Sequence, residues 1–195
     1  MLLTLPQIKT RLNLKDSDVL DDALLTQFIQ MASGRIENDA NRSFGYVLNQ
    51  VDEFQADETE LRLSHYPIDE NQPITFTLLV KRSEGWQPTI PEFIVRSNCV
   101  LSLISRIGNW KSQIRCTYSG GHVLPDMDPA QFPGVPALPL DLVGAAIEQV
   151  AYWYQNKDRL GISSQSGQGG SFSMKTIDLL PSVTSVIAKY ERWMP

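Results

Sequence analysis

One apolar stretch constrains the fold more than any other part of the chain: residues 139–159, PLDLVGAAIEQVAYWYQNKDR. Its apolar side chains recur at helical spacing in two adjacent stripes, Leu142, Ala146, Val150 and Trp153 beside Val143, Ile147, Val150 and Tyr154. Pro139 and Asp141 are typical of the start of a helix, and Lys157, Arg159 and Gly161 are typical of its end. Since the apolar face is wider than a surface helix needs, we predict a long helix at the centre of a core.

Three consecutive aromatic residues, Tyr152, Trp153 and Tyr154, lie within this stretch. Successive residues of an α-helix point about 100° apart, so at least one of these rings must point away from the core. Two interpretations remain open. In the first, the outward ring belongs to a partly exposed tyrosine with no further role. In the second, it is part of a second contact surface, since aromatic side chains are enriched at protein interfaces.

Three further helices are indicated. Thr4 and Gln7 have the spacing of a capping box, and a helical stripe follows at Leu25, Ile29, Ala32, Ile36 and Ala40. Pro181 is placed for the first turn of a last helix. The predicted bounds are about residues 4–12, 18–40 and 181–193.

Between the second and third helices, in residues 46–118, the apolar period changes to two. The strongest predicted strand is ITFTLLV at residues 74–80. Short strands with tight turns favour an antiparallel sheet over βαβ units. We therefore predict a single α+β domain over residues 1–195. It is a small helical bundle of two N-terminal helices, one long central helix and one C-terminal helix, with the antiparallel β-strand region inserted.

Two segments lack periodicity. Residues 122–138 are rich in proline, and we predict a long extended loop there. Residues 161–173 are rich in glycine and serine, and we predict a linker that is mobile in an isolated subunit.

Charge and composition exclude several classes of protein. The net charge of −5 argues against a general affinity for nucleic acid. The start of the chain does not resemble a signal peptide, and no apolar run reaches the ~18 residues of a membrane span, so we expect a cytoplasmic protein. Cys99 and Cys116 have no metal-binding spacing, and we expect two reduced, buried thiols, with a disulfide as the alternative.

No catalytic or metal-binding motif is evident. His65 and His122 have no ligand or carboxylate at a suitable spacing. The glycines at 167–170 lack the Lys-Ser/Thr of a phosphate-binding loop. Asp126 and Asp128 lack the remaining ligands of a calcium loop. We predict no catalytic residue, no metal and no cofactor.

Several weak motifs occur in a particular order along nearly the whole chain. They are DD at 21–22 before LLTQFIQMAS, NRSF at 41–44, LRLSHYPI at 61–68, TYSGG at 117–121, LPLDL at 138–142, YWYQNKD at 152–158, LP at 180–181 and YER at 190–192. In this order they resemble the head-to-tail connector (adaptor, or head-completion) proteins of long-tailed double-stranded DNA bacteriophages.

The resemblance implies a structural virion protein without enzymatic activity or a cofactor. Such proteins form rings of about a dozen copies beneath the portal, after DNA packaging, and provide a platform for the tail. The implied partners are sister copies, the portal protein and a downstream head-closure or tail protein. DNA passes through the channel without specific binding. The implied location is the virion, with the host cytoplasm before assembly.

A closed ring of identical subunits needs two different contact surfaces on each copy. The aromatic triplet and the Gly/Ser segment, which would order on assembly, are the candidates for these surfaces. The predicted interface residues are Tyr152, Trp153, Tyr154, Ser163, Ser164, Gln165, Gly167, Gly169, Gly170 and Trp193. The alternatives are another phage head-closure or tail-completion protein and a small α+β enzyme.

Overall fold

The structure is a computed structural model that describes residues 1–79, 85–159, 164–167, 170–173 and 178–192. The helices are α1 (Leu5–Leu12), α2 (Asp22–Asp39), α3 (Leu140–Gln155) and α4 (Pro181–Ile187), with two short 3₁₀ helices at Pro129–Gln131 and Lys157–Arg159. The strands are β1 (Val47–Gln55), β2 (Glu60–Arg62), β3 (Thr75–Leu79), β4 (Gln87–Thr89), β5 (Phe93–Arg96), β6 (Val100–Leu103), β7 (Gln113–Gly120), β8 (Ser164–Gly167) and β9 (Gly170–Ser173). The predicted α+β class is confirmed.

The chain divides into two compact units. A helical unit comprises residues 1–42, 124–128 and 138–195, and a β unit comprises residues 43–123 and 129–137. Each unit therefore contains segments that are distant in the sequence. The prediction that residues 1–195 act as one connector domain stays a prediction.

Helix α3 is the centre of the helical unit, as its apolar stripes predict. Leu142, Ala146 and Val150 are fully buried, and Trp153 is 1% exposed. Helices α1, α2 and α4 all pack against α3. The indole of Trp153 contacts the ring of Phe28 on α2, with 6.0 Å between the ring centroids.

The helix ends differ from the predicted bounds. Helix α2 begins at Asp22 rather than near residue 18, because residues 16–21 form a turn around a buried ammonium group. The Nζ atom of Lys9 lies 2.6 Å from Asp22 Oδ1 and donates a hydrogen bond of 3.2 Å to the carbonyl oxygen of Asp16. These contacts satisfy the ammonium group and fix the start of α2.

Helices α3 and α4 end earlier than predicted. After Gln155 the chain forms a 3₁₀ turn instead of continuing as an α-helix to residue 159. Helix α4 ends at Ile187, and the amide of Tyr190 then bonds to the carbonyl oxygen of Ile187. In both places the bonds tighten to i→i−3 spacing, which satisfies terminal carbonyl groups without a further α-helical turn.

The described residues of the β unit form two antiparallel sheets rather than the single sheet that the alternating pattern indicates. One has the strand order β1-β7-β3-β4, and the other has the order β2-β6-β5. Side chains from both sheets and their connections bury one apolar cluster, which comprises Ala56, Leu61, Leu63, Ile68, Phe76, Leu101, Leu103, Ile114, Cys116 and Tyr118. The antiparallel prediction is correct, but the shared core separates the strands into two layers.

The Gly/Ser segment contains regular structure, and the prediction of a linker is wrong for its described residues. Strands β8 and β9 pair antiparallel, from Ser164 opposite Ser173 to Gly167 opposite Gly170. Backbone hydrogen bonds form a hairpin whatever the polarity of the side chains, so composition alone is a poor guide here.

Gly34 lies exposed within α2 and has no steric reason to be glycine, because a Cβ atom there would meet nothing within 4 Å. We expect Gly34→Ala to raise the free energy of unfolding by about 0.5–1 kcal/mol, since alanine loses less backbone entropy in a helix. Urea denaturation followed by circular dichroism measures this change. Gly121→Ala is the opposite control, because Gly121 has φ +118° and its Cβ would collide with the carbonyl oxygen of Gly45. An unchanged or lower stability in Gly34→Ala would contradict this expectation.

Candidate interaction interface

The aromatic triplet of α3 divides as its helical spacing requires. Trp153 is buried against α2, whereas Tyr152 and Tyr154 are both half-buried at the surface of the helical unit. Trp153 is therefore part of the hydrophobic core, and its side chain is not available for contact with a partner protein in the folded subunit. The two tyrosines remain candidates for contact with another protein.

The hydroxyl group of Tyr154 already has an intramolecular partner. It donates a hydrogen bond to Asp21 Oδ2 at the start of α2, and Lys157 Nζ lies 3.2 Å from the same oxygen. The ammonium group of Lys157 also lies 4.5 Å from the centre of the Tyr154 ring. The hydrogen bond from Tyr154 and then that from Lys157 lower the pKa of Asp21. The three side chains thus join the end of α3 to the beginning of α2.

Removing the tyrosine hydroxyl tests this cluster. In Tyr154→Phe, we expect the pKa of Asp21 to rise toward its ordinary value of 3.8, because its largest stabilising hydrogen bond is lost. A carboxylate-detected NMR titration of both proteins measures the shift. Tyr190→Phe, which removes a hydroxyl bonded to Asp141 2.7 Å away, is the matched control and should leave Asp21 unchanged. An unaltered Asp21 titration in Tyr154→Phe would show that the bond contributes nothing in solution.

The other predicted interface residues are concentrated in the hairpin. Ser164, Gln165 and Gly167 lie in β8, and Gly170 lies in β9. Ser163, Gly169 and Trp193 lie outside the described residues. The structure therefore brings four of the seven predicted Gly/Ser and C-terminal residues into one paired element, and their role in an interface stays a prediction.

Sequence reasoning missed several exposed apolar side chains in the helical unit. Val19 and Leu20, in the turn before α2, are 68% and 89% exposed, and Leu140 at the start of α3 is 86% exposed. Val19 and Leu20 directly precede Asp21, so they flank the Tyr154 cluster. Aliphatic side chains in a polar turn were the available signal, since a turn does not require them.

The β unit contains a polar network around the carboxylate of Asp52 on β1. Its Oδ2 accepts hydrogen bonds from the Ser64 amide (2.7 Å) and the Tyr118 hydroxyl (2.9 Å). Its Oδ1 accepts from the Ser64 hydroxyl (2.7 Å) and from Gln50 Nε2 (3.0 Å). The ring nitrogen Nδ1 of His65 lies 3.1 Å from Ser64 Oγ, and the His65 amide donates to the Tyr118 hydroxyl oxygen at 2.9 Å.

The pKa shifts in this network indicate that it stabilises the fold of the β unit. Burial alone would raise the pKa of Asp52, but the hydrogen bonds from Gln50, Ser64 and Tyr118 outweigh it and lower the pKa. Burial raises the pKa of Tyr118. Asp52 therefore stays ionised and Tyr118 stays protonated near neutral pH. The network ties the connection after β2 to strands β1 and β7.

The described residues offer little other chemistry. His122 has its own contact, with Nδ1 3.2 Å from the carbonyl oxygen of Ala137. In the part of the chain that the structure describes, no group of three or more His, Cys, Asp or Glu side chains is placed to hold a metal ion. Cys99 and Cys116 are free thiols, as predicted, but only Cys116 is buried, whereas Cys99 is half-buried. Burial raises the pKa of Cys116 to about 12. Within the same residues, no helix is long and apolar enough to cross a membrane.

The N-terminal part of the chain is similar to a known protein family. Residues 2–73 match the phage gp6-like head-tail connector protein family. The resemblance inferred from the ordered motifs is thereby confirmed. The matched region contains α1, α2, β1 and β2. It therefore includes both Asp21 and Asp52. A comparison with curated protein sequences gives no match.

Solved structures share the fold of this chain over 89–100% of its length. A chain described as "Neck of empty GTA particle computed with C6 symmetry" has a TM-score of 0.56 at 14% identity, over 100% of this chain and 91% of that chain. A chain of the "Virion of native gene transfer agent (GTA) particle" has a TM-score of 0.58 at 13% identity, with coverage of 100% and 91%. A third, "Neck of native GTA particle computed with C12 symmetry", has a TM-score of 0.53 at 14% identity, with coverage of 89% and 84%. At these identities the likeness establishes the fold.

Proposed function

We propose that this protein is a structural connector of a phage or phage-like particle. In this role its copies form a ring between portal and tail, complete the head and provide the tail-docking platform around the DNA channel. The observation that carries the proposal is the match of residues 2–73 to the head-tail connector family. The similarity of the whole fold to chains of gene transfer agent necks and virions supports it.

A ring needs two different contact surfaces on each subunit, and the helical unit has separate candidates for them. Val19 and Leu20 lie beside the Tyr154 cluster at the start of α2, and Leu140 lies at the first residue of α3. Two of the similar neck structures were computed with C6 and C12 symmetry, which supports a ring. In our proposal, Tyr152, Tyr154 and the β8–β9 hairpin contact sister copies or the neighbouring portal and tail proteins.

The role requires no catalysis and no cofactor. DNA has to slide through the ring, and the net charge of −5 per chain would repel its phosphates when summed over many copies. We propose that carboxylates, rather than lysine and arginine side chains, dominate the channel surface. A ring structure with a strongly basic channel would overturn this part of the proposal.

Assembly with the portal tests the proposed function. When the protein is mixed with portal rings from the same particle, we expect stoichiometric complexes in sedimentation velocity and rings in negative-stain images. Twelve copies of 21.9 kDa would add about 260 kDa to each portal. Free protein and free portal after mixing would contradict the portal-to-tail position.

One variant addresses the aromatic surface. Tyr152 is half-buried, and its side chain takes no part in the hydrogen bonds of the Tyr154 cluster. We expect Tyr152→Ala to keep the monomer fold and to weaken assembly about tenfold, as loss of an aromatic contact at an interface does. Tyr152→Phe keeps the ring and should assemble normally. If Tyr152→Ala assembles as well as the unaltered protein in the same sedimentation experiment, Tyr152 is not an interface residue.

A further inference from the structure

The β unit has a pocket of about 400 Å³, within the range of about 300–1,000 Å³ typical of ligand sites. Gly121, directly after β7, and three further segments of this unit line it. These segments are the stretch that follows Tyr66, the β5–β6 turn at Asn98, and the proline-rich stretch that includes Val135 and Pro136. None of the interface residues discussed above lies in this pocket.

The walls of the pocket combine apolar surface with hydrogen-bond acceptors. Pro67, Ile68, Val135 and Pro136 supply the apolar part, and Asp69 and Glu70 supply two carboxylates. Among the described lining residues there is no lysine, arginine or histidine. An occupant that suits this lining has an apolar stem and a cationic head rich in hydrogen-bond donors.

The two carboxylates differ in their availability. Asp69 is already held, because Oδ2 accepts from the Tyr46 hydroxyl at 2.7 Å and Oδ1 accepts from the Asn71 amide at 3.1 Å. The exposed carboxylate of Glu70 makes no hydrogen bond or ion pair with any described residue. Glu70 is thus the acceptor that can engage an incoming cation, and Asp69 adds negative potential behind it.

Backbone hydrogen bonds and one close backbone contact hold the floor of the pocket in place. The amide of Ile68 donates a hydrogen bond to the carbonyl oxygen of Asn98, and the amide of Gly121 donates one to the carbonyl oxygen of Pro67, both at 2.9 Å. Gly121 also packs so closely on Gly45 that a side chain would not fit. A preformed site loses little entropy on binding, which favours recognition of even a single side chain.

We propose that this pocket binds an arginine side chain presented by a partner protein. Its aliphatic part packs against Ile68, Val135 and the prolines, and its guanidinium group bonds to Glu70 beside Asp69. Arginine suits the site better than lysine because its planar head offers five donors and forms paired hydrogen bonds with a carboxylate. The inference goes beyond the proposed assembly role, and its test uses the isolated protein, so its failure would leave that role standing.

Amide NMR spectra with small probes test the proposal. We expect acetyl-Gly-Arg-Gly-amide to shift the resonances of Ile68, Gly121 and the side-chain amides of Asn71 and Asn98. The same peptide with citrulline, which has nearly the same shape without the charge, should shift them far less. In Glu70→Gln the arginine peptide should bind about two- to fivefold more weakly, as for a solvent-exposed ion pair.

Glu58→Gln makes the same charge change at another exposed glutamate of the β unit and should leave the affinity unaltered. The proposal is wrong if the arginine peptide shifts no pocket resonance or shifts acidic residues across the whole surface. Equal shifts with the citrulline peptide, or equal affinities in the two glutamine variants, would also overturn it.

Discussion

Trp153→Ala is expected to lower the free energy of unfolding by about 3–5 kcal/mol. Trp153 is 1% exposed, contacts Phe28 on α2 and lies on the helix against which α1, α2 and α4 all pack. Truncation to alanine removes the largest fully buried side chain among the described residues and leaves a cavity that its neighbours cannot fill without moving. Urea denaturation followed by circular dichroism at 222 nm reports on the helical unit.

Two control variants separate the effect of lost side-chain volume from the effect of lost polarity and from that of a truncation on the helix surface. The indole Nε1 of Trp153 has no hydrogen-bond partner among the described residues, so Trp153→Phe loses packing but no hydrogen bond. We expect it to cost only about 1–2 kcal/mol. Tyr152→Ala, one residue away on another face of α3, should cost about 1 kcal/mol or less. A Trp153→Ala protein as stable as the Tyr152→Ala protein would show that α3 is not the centre of the helical core.

Asp52→Ala is expected to destabilise the β unit by roughly 3 kcal/mol, since it leaves the Ser64 amide and the Tyr118 hydroxyl without their acceptor. The partial exposure of Asp52 to water reduces the loss below that of a fully buried carboxylate. Thermal unfolding monitored through β-sheet signals measures it. Asp57→Ala, which alters a carboxylate that makes no described side-chain hydrogen bond, is the control and should change the stability by less than about 1 kcal/mol.

The same network predicts a pH dependence. The pKa of Asp52 is lowered in the folded protein, so its stabilising effect is fully present above its unfolded pKa of about 3.9 and is lost as the pH falls through the lower folded value. We expect the unaltered protein to lose stability below about pH 4 more steeply than Asp52→Asn. Parallel acid titrations of the two proteins would disprove this role for the Asp52 charge.

The helical unit was predictable because its determinants are local. The stripe from Leu142 to Trp153 encodes a buried helix within 12 consecutive residues, and all four members are buried. The exact helix ends depend instead on contacts between distant residues. The start of α2, for example, depends on the ammonium group of Lys9, which no local pattern reveals.

The β unit and the interface were less predictable for the same reason. Alternation shows that Phe76 and Ile114 face a core, but it does not show that Leu61 and Leu101 face the same core from a second sheet. The network at Asp52 joins side chains separated by up to 66 residues. The sequence pattern places Tyr154 both in the second apolar stripe of α3 and among the interface candidates, and its bond to Asp21 across 133 residues became visible only in the fold.

The central claim is that this chain is a ring subunit of a particle neck, and a cryo-EM reconstruction of that neck tests it most directly. Particles would be produced with this protein, its portal and its tail proteins together, and matched particles would be made without it. We predict a closed ring of this fold directly beneath the portal, and heads that fail to join tails when the protein is omitted. Tailed particles that form without it, or a neck in which no density fits the fold, would contradict the account.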